Sequence, residues 1–197
     1  MIQKHTFFSL DFILLYVCLI LIGWMMSSYY IDSTIDTSNA TTLRVRAGYE
    51  VREYEPGVMI GRKVSGASFA MWSDVARLKK DLTARSIEYT PYPFYLKTDD
   101  NGSVSAFFVV QKGSSVADTT GFELSPPLQN VAFTEFLWYP TEGKRAYYKA
   151  HIEKALEADG TTYDKQTYWT EVKDPWYVIP FMMHNGVFVR ILPENVE

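Results

Sequence analysis

The chain contains one cysteine, three histidines and no long basic run. A single thiol excludes an intrachain disulfide, a cysteine-rich zinc site and an iron–sulfur cluster. Cys18 sits inside an apolar stretch, where an inert thiol is expected. Leu15-Tyr16-Val17 ahead of it lack the small residues that precede a lipid-modified cysteine. With 19 Lys and Arg against 23 Asp and Glu, the net charge is −4, which argues against nucleic acid as a main partner. Lys79-Lys80, the densest basic doublet, reads as a solvated helix face. Gly-x-Ser-x-Gly, His-Glu-x-x-His, phosphate-loop and dinucleotide glycine patterns are all missing, so no enzyme is expected. Asp99-Asp100-Asn101-Gly102 lacks the alternating ligands and closing glutamate of a calcium loop and reads as a hairpin turn.

What is present in excess is aromatic and apolar. Aromatics make up 16% of the 197 residues, enough to fill a core and still line a cleft. From Phe12 to Ile31 no charge occurs, and Trp24, Tyr29 and Tyr30 gather toward one end. About 20 apolar residues in a helix match a bilayer core, and aromatics favour its interface. A cleaved signal peptide is the alternative, but Ser27-Ser28-Tyr29 makes a poor cleavage site. The expected plan is a membrane anchor over 1–31 (helix about 12–31), a polar tether over 32–42 and a folded domain over 43–197. Lys4 before the helix and Asp32 and Asp36 after it favour a single-pass protein with the domain on the extracytoplasmic side. Asn39-Ala40-Thr41 and Asn101-Gly102-Ser103 fit the N-glycosylation pattern.

Within the domain one plan occurs twice, over 43–112 and 122–193. The first copy reads as strand Tyr49–Ser65, helix about Met71–Ser86, strand Phe94–Thr98, the Asn101-Gly102 turn and strand Ser105–Gln111. The second reads as strand Val131–Tyr139, helix about Glu142–Ala158, strand Thr167–Val172 and strand Gly186–Leu192. Leu78 and Leu82 fall on Ile152 and Leu156, each pair four apart on one helix face. The expected fold is α+β: two pseudo-twofold βαββ repeats pairing into a curved, partly closed antiparallel sheet with two helices and a central groove, preceded by one transmembrane helix.

Two stretches resemble the SOUL heme-binding family. One is Tyr49–Gly66, YEVREYEPGVMIGRKVSG; the other is Asp174-Pro175-Trp176, Ile179-Pro180-Phe181 and Asn185-Gly186-Val187. The family is structurally similar to effector-binding domains of gyrase-inhibitor-like proteins. The resemblance implies a βαββ duplication and heme or another tetrapyrrole in an apolar cleft. Where the family carries methionine-threonine-x-proline-valine, this chain reads Tyr89-Thr90-Pro91-Tyr92-Pro93. Met182-Met183-His184 stands for an arginine pair and Gly186 for a glutamate.

The expected lining is Met59, Trp72, Phe94, Phe108, Phe133, Trp138, Trp169, Trp176 and Phe181. His184, beside Met182, is the candidate axial ligand for heme, since imidazole and thioether both ligate its iron. His151, next to Ile152, reads as a half-buried packing group. Strand alternation places Glu135 with Phe133 and Leu137, and Glu171 with Trp169. A carboxylate among aromatics suits a cationic amphipathic ligand. The functional expectation is therefore a membrane-anchored, non-catalytic binding protein for heme or another tetrapyrrole. The alternatives are an effector-binding-type module for hydrophobic or cationic small molecules, or a tethered protein-interaction domain.

Overall fold

The structure, a computed structural model, describes residues 10–34, 40–55, 57–66, 68–114, 118–126 and 128–193. Helix α1 (Leu10–Thr34) is apolar around its whole circumference, and residues 13–27 are exposed on every side. A helix without a polar face has no orientation that suits water. Its Ile13–Tyr30 segment is long and apolar enough to cross a membrane, a property that a signal sequence shares. The polar tether is shorter than its expected 32–42: α1 reaches Thr34, and strand β1 (Ala40–Arg46) starts inside the remainder. Asn39 of the first glycosylation triplet lies outside the described residues, and Asn101 sits in a turn.

Among the described residues, nine antiparallel strands form one sheet. After β1 come β2 (Tyr49–Tyr54), β3 (Met59–Val64), helix α2 (Ser68–Ala84), β4 (Phe94–Asp99), β5 (Val104–Val109) and β6 (Glu123–Ser125). The chain continues through β7 (Val131–Leu137), α3 (Glu142–Ala158), β8 (Thr167–Val172), a 3-10 turn (Pro180–Met182) and β9 (His184–Arg190). The spatial order is β1-β2-β7-β9-β8-β4-β5-β3-β6. Its centre reads β7-β9-β8 and then β4-β5-β3, the same βαββ unit met from opposite directions, which is the pseudo-twofold expected.

Backbone detail repeats with the topology. Ile87 N donates to Leu82 O (3.0 Å) and Thr161 N to Leu156 O (2.9 Å); Thr90 N reaches Val109 O and Asp164 N reaches Arg190 O, both at 2.9 Å. Tyr89 and Tyr163 each form a lone β-bridge at matching places, to Val110 and Ile191.

The Tyr49–Gly66 segment departs from the expectation of one kinked strand within the first repeat. Its halves lie far apart in the sheet: β2 pairs with β7 of the second repeat, and β3 with β5 and β6. The pairing breaks between Tyr54, where β2 ends, and Met59, where β3 begins. The physical consequence is curvature. Six strand spacings separate β2 from β3, about 29 Å in a flat sheet, whereas the five steps from Tyr54 to Met59 span at most about 18 Å. The sheet must curl, and Tyr54 and Met59 share one apolar cluster on its inner side.

The helices cover the outer face. Met71, Val75, Leu78 and Leu82 form the buried stripe of α2 over Ile60, Leu96 and Phe108. Ile152 and Leu156 of α3 pack on Ala132, Phe136 and Val187. Thr141 caps α3, its side chain accepting from Lys144 N. Arg145 takes the position matching Met71; its Nη1 donates to Thr98 Oγ1 (3.2 Å), which ties α3 to a strand of the other repeat. Two expectations are corrected here. His151 is exposed rather than half-buried. Lys79 is not fully solvated: its ammonium lies 4.0 Å from the Tyr92 ring centroid, and burial brings its pKa down to about 8.

Candidate functional site

On β8, Tyr168 and Val172 point to the helices, while Trp169 joins the inner cluster with Tyr54, Tyr95, Phe107, Phe133 and Phe188. Period-two alternation puts Glu171 on that inner side too. Across the sheet the register aligns Glu135, Gly186, Glu171, Tyr95 and Phe107 in one row. Phe133, Phe188 and Trp169 form the row beside it.

Gly186, between the two carboxylates, explains how that face is filled. A Cβ there would overlap the Phe133 ring. The ring can lie flat over the backbone only because residue 186 has no side chain. Phe133 is buried and carries the Arg52 guanidinium 3.5 Å above its centroid, so it has little room to move. Gly186→Ala is expected to lower the unfolding free energy by about 2 kcal/mol, the usual scale of core overpacking, as read from a shifted denaturation midpoint.

Glu171 is the electrostatic centre. It is 1% exposed, and Tyr95 hydrogen-bonds to its carboxylate. Its Oε2 has no hydrogen-bond partner, and Lys173 Nζ lies 4.0 Å away. Burial pushes the Glu171 pKa up to about 7; the charges of Lys173 and Arg52 oppose this, and Glu135 adds to it. Glu135 behaves differently. Burial raises its pKa, but the 2.7 Å hydrogen bond from Lys173 and the neighbouring cations outweigh that and leave it below the ordinary range. Lys173 is thus a tethered cation poised between two carboxylates, 5.7 Å from the Phe133 centroid.

The aromatic surround is tightly interlocked. Tyr54 meets Tyr95 edge-on at 5.8 Å and Phe188 at 5.4 Å; Trp169 and Phe188 lie parallel at 6.3 Å. Tyr54 and Tyr95 also line a pocket of about 900 Å³ with Met59, Val109 and Leu128. The two tyrosines form a partition, with open volume on one side and the Glu171 carboxylate on the other. Burial and Glu171 hold both phenols well above their ordinary pKa, so they stay neutral.

The expected lining residues separate into three groups. Met59, Phe133, Trp169, Glu135 and Glu171 come together on the inner side. Trp72, Phe94 and Phe108 do not: they pack under α2 on the outer face, with Trp72 5.5 Å and Phe108 5.7 Å from the Phe94 ring. Trp138, Trp176 and Phe181 are exposed at one end of the sheet. Strands β4 and β5 are buried on both faces, so hydropathy alternation could not reveal which residues faced inward. Tyr54, Arg52, Tyr95, Phe107, Phe188 and Lys173 were not anticipated. Lys173 was legible, because it lies two residues beyond Glu171 and therefore on the same face.

Met182 and His184, named for the heme iron, are not members of the inner aromatic cluster. Met182 lies partly exposed in the 3-10 turn. His184 Nδ1 stands 3.7 Å from Asp174 Oδ2, while the backbone N of His184 donates to that same oxygen at 2.6 Å. The inner face beyond them is occupied by packed rings. Among the described residues, no three His, Cys, Asp or Glu side chains converge as a metal-ion site.

No protein-family model and no curated protein sequence matches the chain. Solved structures match its fold. The C-terminal domain of EcmrR is 12% identical with a TM-score of 0.55, over 73% of this chain and 98% of that one. An uncharacterized conserved protein from Listeria innocua is 10% identical with a TM-score of 0.51, over 70% and 88%. A protein described as a hydrolase from Listeria innocua is 9% identical with a TM-score of 0.51, over 76% and 94%. At such identities the likeness is one of fold alone. The comparisons do not show the SOUL family.

Proposed function

We propose that residues 40–193 form a non-catalytic binding module for amphipathic, cationic small molecules, held at a membrane by α1. The observation that carries this is Glu171, a carboxylate that pays for burial among aromatic rings without a full set of hydrogen bonds. A delocalised cation entering beside it would supply the missing countercharge and stack on Tyr54, Phe133 or Trp169. The neighbouring pocket, which shares Tyr54 and Tyr95 with the aromatic cluster, supports a route to that carboxylate. The apolar girth of α1 and the aromatic side chains near its domain end support a single-pass anchor, and Lys4 before it with Asp32 and Asp36 after it favour the domain on the extracytoplasmic side. Recovery of a mature chain lacking α1 would count against the anchor.

The test is a fluorescence-anisotropy titration of residues 40–197 with the cationic dye rhodamine 6G between pH 5.5 and 8.5. Affinity should fall about tenfold per pH unit below 7 and level off above it, because only ionised Glu171 binds the cation. Affinity that does not change with pH would rule out Glu171 as the counterion. Lys173→Met removes the competing tethered ammonium and is expected to tighten dye binding about tenfold, measured in the same titration. Hemin serves as the comparison ligand. A Soret shift at micromolar hemin that disappears in His184→Ala would favour the tetrapyrrole reading instead.

A further inference from the structure

Among the described residues, helix α1 meets the domain at Trp24 and Ser28. Trp24 Nε1 donates to Tyr177 O at 2.6 Å, and Ser28 Oγ accepts from Ile179 N at 3.3 Å. The two residues are four apart and share a helix face, and Ser28 is 1% exposed although residues 13–27 are bare. The domain contributes residues 175–183, PWYVIPFMM, nine in a row without a charge.

This loop displays its aromatic side chains outward. Trp176 is 57% exposed, Phe181 54% and Tyr177 48%, and Leu137 and Trp138 beside them are also exposed. The loop does not hang free. The Asp174 carboxylate accepts from His184 N across its base, and Tyr139 Oη donates to Trp176 O at 3.2 Å. Trp138 has φ +93°, a strained conformation for a bulky residue. Trp138 N donates to Met183 O (3.0 Å) and Asn185 Nδ2 to Trp138 O (2.7 Å), which hold it there. Strained backbone is being used to keep an indole in the open.

Depth along α1 identifies what covers these rings. Trp24 lies six residues before Tyr30, the end of the apolar span, or about 9 Å along the axis. A loop bonded at that level cannot stand clear of the bilayer that takes the span. About 5–10 Å is the depth at which amphipathic surfaces bury their apolar side at the headgroup boundary. Tryptophan and tyrosine are the side chains that this zone favours.

We propose that the Trp176–Phe181 loop, together with Trp138, is a second membrane contact, inserted in the lipid interface beside α1 and fixing the domain's orientation on the bilayer. The proposal rests on the reading of α1 as a membrane span. The occupant of this surface is the lipid around α1, not a second protein.

The experiment uses the full chain in phosphatidylcholine vesicles, with the fluorophore NBD on a single cysteine. Native Cys18 reports on the span; Phe181→Cys and Asn101→Cys, each in a Cys18→Ser background, report on the loop and on a control. The control is distant: β4 and β8 pair Phe94 with Val172 near the loop and Asp99 with Thr167 at the other end. Nitroxide-bearing lipids should quench NBD at 181 about as strongly as at 18 and severalfold more than at 101, with iodide quenching in the reverse order. If 18 is quenched by lipid while 181 is open to iodide, the loop proposal falls and the anchor stands. If 181 is shielded from both quenchers, a protein surface covers it and the proposal falls. If 18 is not quenched by lipid, the anchor reading fails and takes this one with it.

Discussion

Glu171→Gln is expected to stabilise the protein at pH 8 while sharply weakening its hold on a cationic ligand. The folded-state pKa of Glu171 is raised to about 7, with burial as the main cause. A raised carboxylate pKa means that folding takes up a proton between the unfolded value and about 7. Stability is therefore highest at low pH and falls as pH rises through that window. The deficit above pH 7 amounts to about 3 kcal/mol for a shift of this size. Glutamine keeps the shape and the polar contact with Tyr95 but never ionises. Urea unfolding of the two proteins should agree near pH 4.5, diverge through pH 7, and then differ by a constant amount in favour of the variant. Dye affinity should drop about a hundredfold at pH 8, as expected for an ion pair lost from a dry site. A variant less stable than the wild type at pH 8 would mean that Lys173 and Arg52 compensate the buried charge fully, leaving no vacancy for a ligand cation.

Gly61→Ala should be the more damaging of two glycine substitutions. Gly61 pairs with Phe107 on one side and Glu123 on the other, so its backbone is clamped between two strands. A Cβ there would overlap the Ala106 carbonyl oxygen as well as the Phe107 ring. The ring has limited freedom, since it packs 5.4 Å from Trp169. The carbonyl has less, because it cannot retreat without opening the β3–β5 ladder. A loss of about 3 kcal/mol or more is expected, at the upper end for overpacking. At Gly186 the obstacle is only the Phe133 ring, so Gly186→Ala should unfold at a higher denaturant concentration than Gly61→Ala. The reverse order would show that rings resist displacement more than the ladder does.

The contrast between what was legible in the sequence and what was not has a physical origin. The stripes Leu78–Leu82 and Ile152–Leu156 announce the helices, because each helix has one buried side. Glu135 and Glu171 were placed on the right face, because polar residues among apolar ones mark the phase of a strand. Phe94 and Phe108 were placed on the wrong one. In FYLKTD and VSAFFV both faces are buried, and the phase is carried only by pairing to a distant strand, as in Tyr95 opposite Glu171. The separation of β2 from β3 was hidden for a related reason. A four-residue break looks the same whether the chain turns back on itself or crosses a curled sheet.

That crossing also sets an order in time. β2, near the amino-terminal end, finds its partner in β7, some eighty residues later, with Glu50 opposite Phe133. A chain made from its amino terminus emerges with α1 already able to seek lipid, while β2 can pair only with its hairpin neighbour β1 until β7 of the second repeat exists. The hairpin nearest the membrane thus joins the rest of the sheet only once the second repeat has begun. During synthesis its exposed edge must wait beside the bilayer for the rest of the protein.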